Sequence, residues 1–277
     1  MLKLFSDVSV NSFETFTIGQ AKHVIHCNED GKMIHEGILN RLSDDEFMLF
    51  GRGGFWVDYQ LRHGQYDATS APDDWFNFQV SGPKAIYVVE KAAKQSLRNL
   101  KFMHSATIHI NGREVRALRQ GMAGELGYEL QGPRAYAQEI YDAILEAGKE
   151  FGIRRLGGRA VFINHLEACF PTIVTDYLPA IFGENMTEYL EEFKAAMPAF
   201  AITFNLAGSF EADDISAWYR SPVELGWANR IKCDHDFIGR TALEEEVAHP
   251  KRAMHTLVWN ADDVVAVYAS LFRQGKP

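Results

Sequence analysis

Residues 119–130, RQGMAGELGYEL, are the most unusual stretch of this chain. Gly121, Gly124 and Gly127 recur at a spacing of three around one acidic residue, Glu125, between two predicted strands. Glycine lets a backbone turn sharply and lets a flat ligand approach closely. A carboxylate in such a turn can accept two parallel hydrogen bonds from an amidine-like edge. The spacing differs from the dinucleotide fingerprint. It therefore indicates either a turn that presents Glu125 to a planar heterocycle or a plain connection between strands.

Strand and helix signals surround this stretch and alternate at short range, which predicts an α+β fold. Apolar segments separated by polar turns predict hairpins over residues 20–50, and Asn111-Gly112 predicts another hairpin over 106–120. Apolar alternation predicts a strand over residues 76–80. Helical spacing and capping residues predict helices over residues 54–66, 83–93, 133–151, 159–168 and 186–198. We therefore expect antiparallel or mixed sheets with helices packed on them.

A new strand and helix pattern begins near residue 250. MHTLVW (254–259) predicts a strand, and VVAVYASLF (264–272) predicts a short apolar helix. A segment of this length cannot build a hydrophobic core alone. We therefore expect one α+β domain over residues 1–250, open to division into two subdomains, and the start of an incomplete C-terminal module over residues 251–277.

Composition and charge argue against several classes of binding partner. The chain has 277 residues, a net charge of −9 and a pI of about 5.6. An acidic chain repels phosphate backbones, so we expect no nucleic-acid partner. No apolar run reaches the roughly 18 residues of a membrane span, and no secretory signal is visible, so we expect a cytoplasmic protein without a membrane partner. Three cysteines at spacings that match no zinc pattern predict free thiols and no metal.

Several polar and aromatic residues allow both a functional and a structural interpretation. Residues 51–54 (GRGG) would form either an anion-binding nest before a helix or a flexible loop. His165, near a predicted helix end, would be either a general acid or substrate partner, or a core or capping residue. Trp56 would either stack on a planar ligand or pack in the core. His23 and His26 would point to opposite faces of one strand, which argues against a shared metal.

Six segments together resemble the aminomethyltransferase family, which comprises the T-protein of glycine cleavage and its tetrahydrofolate-dependent relatives. They occur in the family's order and cover nearly the whole chain, and the pair formed by GELGYEL and PVELGW…DFIGR is the most specific. The segments are FSDVSV (5–10), FQVSGPKA (78–85), GMAGELGYELQGP (121–133), LGGRAVFINHLEA (156–168), SPVELGW (221–227) and DFIGRTAL (236–243). The resemblance implies a fold like the family's folate-binding domain, with the C-terminal barrel largely absent, and tetrahydrofolate as the cofactor.

Two departures from the family pattern favour one branch of it. The usual aspartate-rich stretch reads HEGIL (35–39), which removes the acid usually given the catalytic role in aminomethyl transfer. LEACFP (166–171) precedes a long insert over residues 172–217. Both features are similar to the branch that demethylates methoxylated aromatic acids of the vanillate, syringate or 3-O-methylgallate type, in which tetrahydrofolate accepts the methyl group. The alternatives are another one-carbon enzyme of the family, such as an aminomethyltransferase, and a non-enzymatic folate-binding protein.

The resemblance also implies roles for residues of this chain on the cofactor side. Glu125 would hold the edge of the pterin, and Tyr128 and Arg159 would line the same cavity. No metal is required for methyl transfer of this kind.

On the substrate side, a carboxylate would need an arginine, and Arg41 and Arg119 are both candidates on predicted strands. Trp56 is a further candidate for contact with a small aromatic substrate. His165 is the candidate catalytic residue. The sequence leaves the oligomeric state open.

Overall fold

The first sheet forms from the predicted hairpins near the N-terminus. In this computed structural model, which describes residues 1–197 and 210–275, the strands are β1 (Ala21–Cys27), β2 (Met33–Arg41) and β3 (Phe47–Phe50). They are antiparallel in the order β1-β2-β3. The register places His26 opposite His35 and Ile25 opposite Glu36, so polar residues alternate with apolar ones in the middle of the sheet.

The second sheet contains the glycine-rich stretch. Its strands are β4 (Trp75–Ser81), β5 (Ser105–Ile110), β6 (Arg113–Leu118) and β7 (Gly127–Pro133), antiparallel in the order β4-β7-β6-β5. The predicted Asn-Gly hairpin is confirmed, since Asn111 and Gly112 join β5 to β6 with φ of 52° and 80°. Positive φ at both central residues matches the twist of the flanking strands.

Eight α-helices lie in the described part of the chain: α1 (Leu2–Val8), α2 (Gly53–His63), α3 (Ala85–Ala93), α4 (Ala137–Gly148), α5 (Gly158–Glu167), α6 (Thr187–Ala196), α7 (Arg240–Ala248) and α8 (Ala261–Ser270). The predicted helices are present with shifted ends. Pro133 ends β7 instead of beginning α4 because it pairs with Trp75 in the sheet.

Each sheet has its own hydrophobic core. Helices α3 and α4 pack on one face of the second sheet around residues such as Val89, Leu130 and Ile140. The first sheet is covered on both faces. One face packs with α1, α2 and α6, and the other packs with segments around residues 170–180 and 223–243. Polar side chains of β1 and β2 are therefore buried, which is unusual unless they find partners or a ligand.

The C-terminal segment differs from the prediction. Residues 254–259 form no strand, and no strand of residues 1–197 or 210–275 pairs with them. Their large side chains are exposed, with Val258 at 93% and Trp259 at 77%. The apolar helix that was predicted next is present as α8. In the described ranges, no helix is both long enough and apolar enough to cross a membrane.

Candidate functional site

The glycine-rich loop between β6 and β7 folds back on itself. A Cβ on Gly127 would lie 2.7 Å from the Cα of Gly121, so the two backbones touch and only glycine fits there. Gly124 has a φ of 65°, and a Cβ on it would lie 3.6 Å from the Cα of Ala168, just after α5. The loop that carries Glu125 therefore lies against the C-terminal end of α5.

Two carboxylates of this region have opposite environments. Glu125 is exposed, and no described side chain hydrogen-bonds it. Glu129, two residues into β7, is only 8% exposed. Its Oε2 accepts hydrogen bonds of 3.2 Å from both Asn77 and Gln131. Burial raises the pKa of Glu129, and the two amide donors partly offset that effect. Glu129 was not among the residues that the sequence singled out, although alternation along the strand places it on the face opposite the buried Tyr128.

The other two residues predicted for the cofactor lie apart from Glu129. Tyr128 is fully buried in the core under α3 and α4, and its hydroxyl has no partner in the described residues. Because side chains alternate along a strand, Tyr128 and Glu129 face opposite sides of the sheet. Arg159 is exposed in the first turn of α5. The cofactor roles of Tyr128 and Arg159 therefore stay predictions.

His165 lies in an aromatic group that joins α5 to the first sheet. Its Nδ1 lies 2.8 Å from Thr172 Oγ1, and its ring centroid is 6.1 Å from Phe170. Phe170 in turn lies 5.2 Å from His23 and 5.1 Å from Trp227. Phe170 therefore contacts both His165, the predicted catalytic histidine, and His23, a second histidine that the sequence did not single out for catalysis.

His23 pairs with a carboxylate at the position where the sequence predicted the loss of an acid. His23 Nε2 lies 2.9 Å from Glu36 Oε2. The stretch HEGIL therefore keeps a carboxylate, now bound to an imidazole. Tyr177 is buried in the same core, and its hydroxyl has no partner in the described ranges. Burial raises the pKa of Tyr177, with Glu36 adding to the shift, so the phenol stays protonated.

The arginines predicted to bind a substrate carboxylate already have protein partners. Arg41 Nη1 donates to the Phe16 carbonyl at 2.5 Å, and Nη2 pairs with Asp44 at 2.8 Å. Arg119 Nη1 donates to the Leu100 carbonyl at 2.7 Å. Both guanidinium groups therefore hold loops in place, and the substrate roles of Arg41 and Arg119 stay predictions.

A further arginine, Arg52, belongs to a buried polar cluster with His26, His35, Trp56 and Tyr189. One nitrogen of Arg52, both ring nitrogens of His35, Nε2 of His26, Nε1 of Trp56 and the Tyr189 hydroxyl are all buried without a partner among the described residues. Trp56 lies edge-on to Tyr189 at 4.9 Å, and Tyr189 lies 6.0 Å from His35. Burial lowers the pKa of Arg52.

So many unpaired polar atoms in one place require an explanation. Native interiors leave few buried polar groups unpaired, and each unpaired group destabilises by about 1–3 kcal/mol. An anionic group would accept hydrogen bonds from the donors of this cluster, which are Arg52, Trp56 Nε1 and the Tyr189 hydroxyl. Trp56 was left open between stacking on a planar ligand and packing in the core. Its ring is buried and stacks on Tyr59 with centroids 5.7 Å apart, while Nε1 is unpaired, so its contact with a substrate stays a prediction.

The two histidines of the cluster are neutral acceptors or donors, not cations. His26 Nδ1 lies 2.7 Å from the Val8 carbonyl, so this nitrogen carries the hydrogen and Nε2 presents a lone pair. Burial lowers the pKa of His26 to about 4, and burial also lowers the pKa of His35 well below its usual value. As predicted, His23 and His26 lie on opposite faces of β1.

A cleft of about 390 Å³ lies beside the Glu129 network. Trp75, Arg116, Gln131 and Tyr136 are among its lining residues. Gln131 connects the cleft to Glu129 through the hydrogen bond described above. Arg116 has no carboxylate partner within the described ranges; its guanidinium lies 5.1 Å from the Trp75 ring centroid.

One group with metal-ligand chemistry is present among the described residues. His63, Glu188 and Glu192 place a nitrogen and two carboxylate oxygens within 4.8 Å of one another at the surface. Glu192 is also paired with Arg62 at 2.5 Å, which supplies the positive charge that a cation would bring. The group therefore has a sufficient role as an ion-pair network between α2 and α6.

Comparison with known proteins gives a consistent result. Residues 1–181 match the family described as the GCVT N-terminal domain. Sesamin methylene transferase of Sinomonas sp. (strain No.22) is 33% identical over 98% of this chain, and syringate O-demethylase of Sphingobium sp. is 32% identical over 96%. The chain spans about 60% of the length of each. The aminomethyltransferase T of Bartonella henselae has a similar fold, with a TM-score of 0.65 over 89% of this chain at 17% identity and 58% of its own chain covered. By sequence and by fold, the chain belongs to the aminomethyltransferase family that the GCVT N-terminal domain defines.

Proposed function

We propose that this protein transfers a methyl group from a methoxylated aromatic acid to tetrahydrofolate. The observation that carries the proposal is Arg52, a half-buried guanidinium without a carboxylate partner among aromatic side chains. An aromatic acid would supply the anion that Arg52 lacks, and the side chains around Arg52 are aromatic. The similarity to an O-demethylase over nearly the whole chain supports the same class of reaction.

The residues around Glu129 fit a reduced pterin. A carboxylate suits the amino edge of a pterin because it accepts two parallel hydrogen bonds. Glu129 Oε2 is occupied by Asn77 and Gln131, and Oε1 has no partner in the described residues. Glu125, on the adjoining loop, is the alternative carboxylate for the same edge. When bound, tetrahydrofolate would supply the nitrogen that accepts the methyl group.

This chain's own residues would then bind and orient the substrate and exclude water from it. Arg52 would form a charge-assisted hydrogen bond with the substrate carboxylate, and Tyr189, Trp56 and Phe193 would pack against the aromatic ring. Fixing two reactants in line accounts for a large part of the rate in such a transfer. The leaving phenolic oxygen also needs a hydrogen-bond donor, and His165 stays the sequence-based candidate for that role.

The test is methyl transfer with matched substrates. Incubation with tetrahydrofolate and vanillate should yield protocatechuate and 5-methyltetrahydrofolate in equal amounts, measured by liquid chromatography and mass spectrometry. Arg52→Met should lower kcat/KM for vanillate by about 10- to 100-fold, the value of one charge-assisted hydrogen bond. The same substitution should leave kcat/KM unchanged for guaiacol, which has the methoxyl group but no carboxylate.

Arg119→Met is the matched control, because it removes a guanidinium whose partner is the Leu100 carbonyl. If Arg119→Met, and not Arg52→Met, shows the carboxylate-specific loss, Arg119, one of the two sequence-based candidates, binds the carboxylate. Formation of methylenetetrahydrofolate and ammonia from an aminomethyl donor, without cleavage of aryl ethers, would establish the aminomethyltransferase alternative. Folate binding without any turnover would establish the non-enzymatic alternative.

A further inference from the structure

Arg116 is a half-buried arginine in the cleft beside Glu129. Its Nη1 donates to Met48 Sδ at 3.3 Å, and a thioether sulfur is a weak acceptor. No carboxylate pairs with this guanidinium within residues 1–197 or 210–275. Burial lowers the pKa of Arg116. A partly buried cation without an anionic partner destabilises a fold, and an anion bound in the cleft would offset that effect.

Two guanidinium groups and two aromatic rings line this cleft of about 390 Å³. The Arg116 guanidinium lies 5.1 Å from the Trp75 ring centroid, and the Arg113 guanidinium lies 4.4 Å from the Tyr136 ring centroid. Arg113 is already paired with Glu139 at 3.1 Å. Arg116 is therefore the cation that is free to bind an anion, and the rings offer flat apolar surface beside it.

The local charge of the cleft differs from that of the whole chain, which carries a net charge of −9. Glu114 is an acidic residue of the cleft lining, and its side chain is 79% exposed and lies 3.8 Å from His109. Water screens an exposed carboxylate strongly, so Glu114 opposes an anion near Arg116 only weakly. The cleft therefore favours an anionic ligand on a surface that elsewhere repels one.

The cleft begins next to Glu129 and extends along the strands of the second sheet. Gln131 is fully buried, its Nε2 donates to Glu129, and its Oε1 has no partner in the described ranges. Trp75 pairs with Pro133, which lies four residues beyond Glu129 in β7. At about 3.3 Å per residue, the Arg116 guanidinium over Trp75 therefore lies roughly 13 Å along the sheet from Glu129. A ligand that reaches both residues must be long, with a hydrogen-bonding edge at one end and an anion at the other.

We infer that this cleft binds the glutamyl tail of tetrahydrofolate, with Arg116 as the partner of a tail carboxylate. The inference rests on the folate binding of the proposed function and on Glu129 as the carboxylate for the pterin. In tetrahydrofolate the amino edge of the pterin and the glutamyl group lie at opposite ends, separated by the pterin and the p-aminobenzoyl ring in series. The p-aminobenzoyl ring would pack beside Trp75, and Gln131 Oε1 would accept a hydrogen bond from an N–H group between the two ends.

The test compares a ligand with the tail and a ligand without it. Calorimetric titration should give Arg116→Met an affinity for tetrahydrofolate about 10-fold below that of wild type, because a charge-assisted hydrogen bond is lost. The same variant should bind 6-methyltetrahydropterin, which has neither the p-aminobenzoyl ring nor the glutamyl group, within about twofold of wild type. Arg98→Met is the matched control, because it removes an exposed guanidinium that lies 5.6 Å from the ring of Tyr87 on α3. It should leave both affinities unchanged.

A second variant tests the same contact without removing Arg116. Thr107 is exposed, lines the cleft and lies directly opposite Arg116 in the pairing of β5 with β6. In Thr107→Glu the new carboxylate would pair with Arg116 across the strands and compete with the tail. This variant should also bind tetrahydrofolate about 10-fold more weakly and 6-methyltetrahydropterin as wild type does. Thermal unfolding should show that both variants are folded.

The outcomes separate this inference from the proposed function. If both variants bind tetrahydrofolate as wild type does, or if they lose affinity equally for the two ligands, the inference fails. It fails as well if wild type binds tetrahydrofolate no more tightly than 6-methyltetrahydropterin. In each of these cases, demethylation of vanillate by wild type would leave the proposed function standing. If wild type binds neither ligand, both fail.

Discussion

At the scale of single residues, the burial of His26, which lies opposite His35 in the first sheet, makes the stability of the fold depend on pH. Burial lowers the pKa of His26 to about 4, against an ordinary value near 6.5. Between these two values the unfolded chain binds the proton and the folded chain does not, so the free energy of unfolding falls as the pH falls through this window. Relative to neutral pH, His26 alone should account for a loss of about 2 kcal/mol at pH 5.

Urea denaturation at pH 7.5 and pH 5 measures this effect. His26→Gln removes the titrating group, so the variant should lose about 2 kcal/mol less than wild type between the two pH values. His109→Gln is the control, because that histidine is largely exposed on β5. Equal pH dependence in wild type and His26→Gln would contradict the prediction.

The two glutamates of the glycine-rich stretch, Glu125 and Glu129, are alternative candidates for the carboxylate that binds the pterin. Loss of the carboxylate that holds the pterin should weaken tetrahydrofolate binding by about 1.5–3 kcal/mol, or one to two decades in Kd. Sequence analysis predicts this loss for Glu125→Ala, and the burial of Glu129 favours it for Glu129→Gln. Calorimetric titration of both variants decides between them. If both variants bind tetrahydrofolate with wild-type affinity, neither carboxylate holds the pterin.

At the scale of elements, the glycine loop has a strict steric requirement. A Cβ at residue 127 would lie 2.7 Å from the backbone of Gly121, so neither chain segment can yield by rotating a side chain. Gly127→Ala should therefore lower the free energy of unfolding by roughly 1–3 kcal/mol, as overpacking does. Gly158→Ala, where a Cβ meets nothing within 4 Å, is the control and should have no such effect. Chemical denaturation of both variants checks the prediction, which fails if their midpoints agree.

Local patterns predicted most elements because local interactions determine them. Asn111-Gly112 forms its turn from backbone preferences alone, and the apolar spacing of α4 needs only one face to pack against. The strand predicted at residues 254–259 was wrong because a strand depends on a partner that the local sequence does not reveal. The site was harder to predict for the same reason. Arg52 and His23 become distinctive only when segments distant in sequence bury them.

At the scale of the whole molecule, the described core ends before the C-terminal segment begins. No residue after Leu243 belongs to a buried hydrophobic cluster in the described ranges. The segment is attached mainly through Arg252, whose Nε donates to Glu224 at 2.5 Å, and through Met254, which lies near Gly226. Its exposed apolar side chains include Leu257, Val258 and Trp259. Exposed patches of this kind promote association between molecules.

Removal of residues 255–277 should therefore leave the folded body intact. The cut removes almost no buried apolar surface, so the thermal midpoint should stay within about 2 °C of wild type, and light scattering at high protein concentration should decrease. Leu243→Ala is the contrasting variant, because Leu243 is fully buried in α7 and its truncation should destabilise by about 2–5 kcal/mol. That loss corresponds to a fall of roughly 4–20 °C in the midpoint for a chain of this size. A truncated protein that melts as early as Leu243→Ala would place residues 255–277 inside the cooperative unit and move the predicted boundary near residue 250 to a later position.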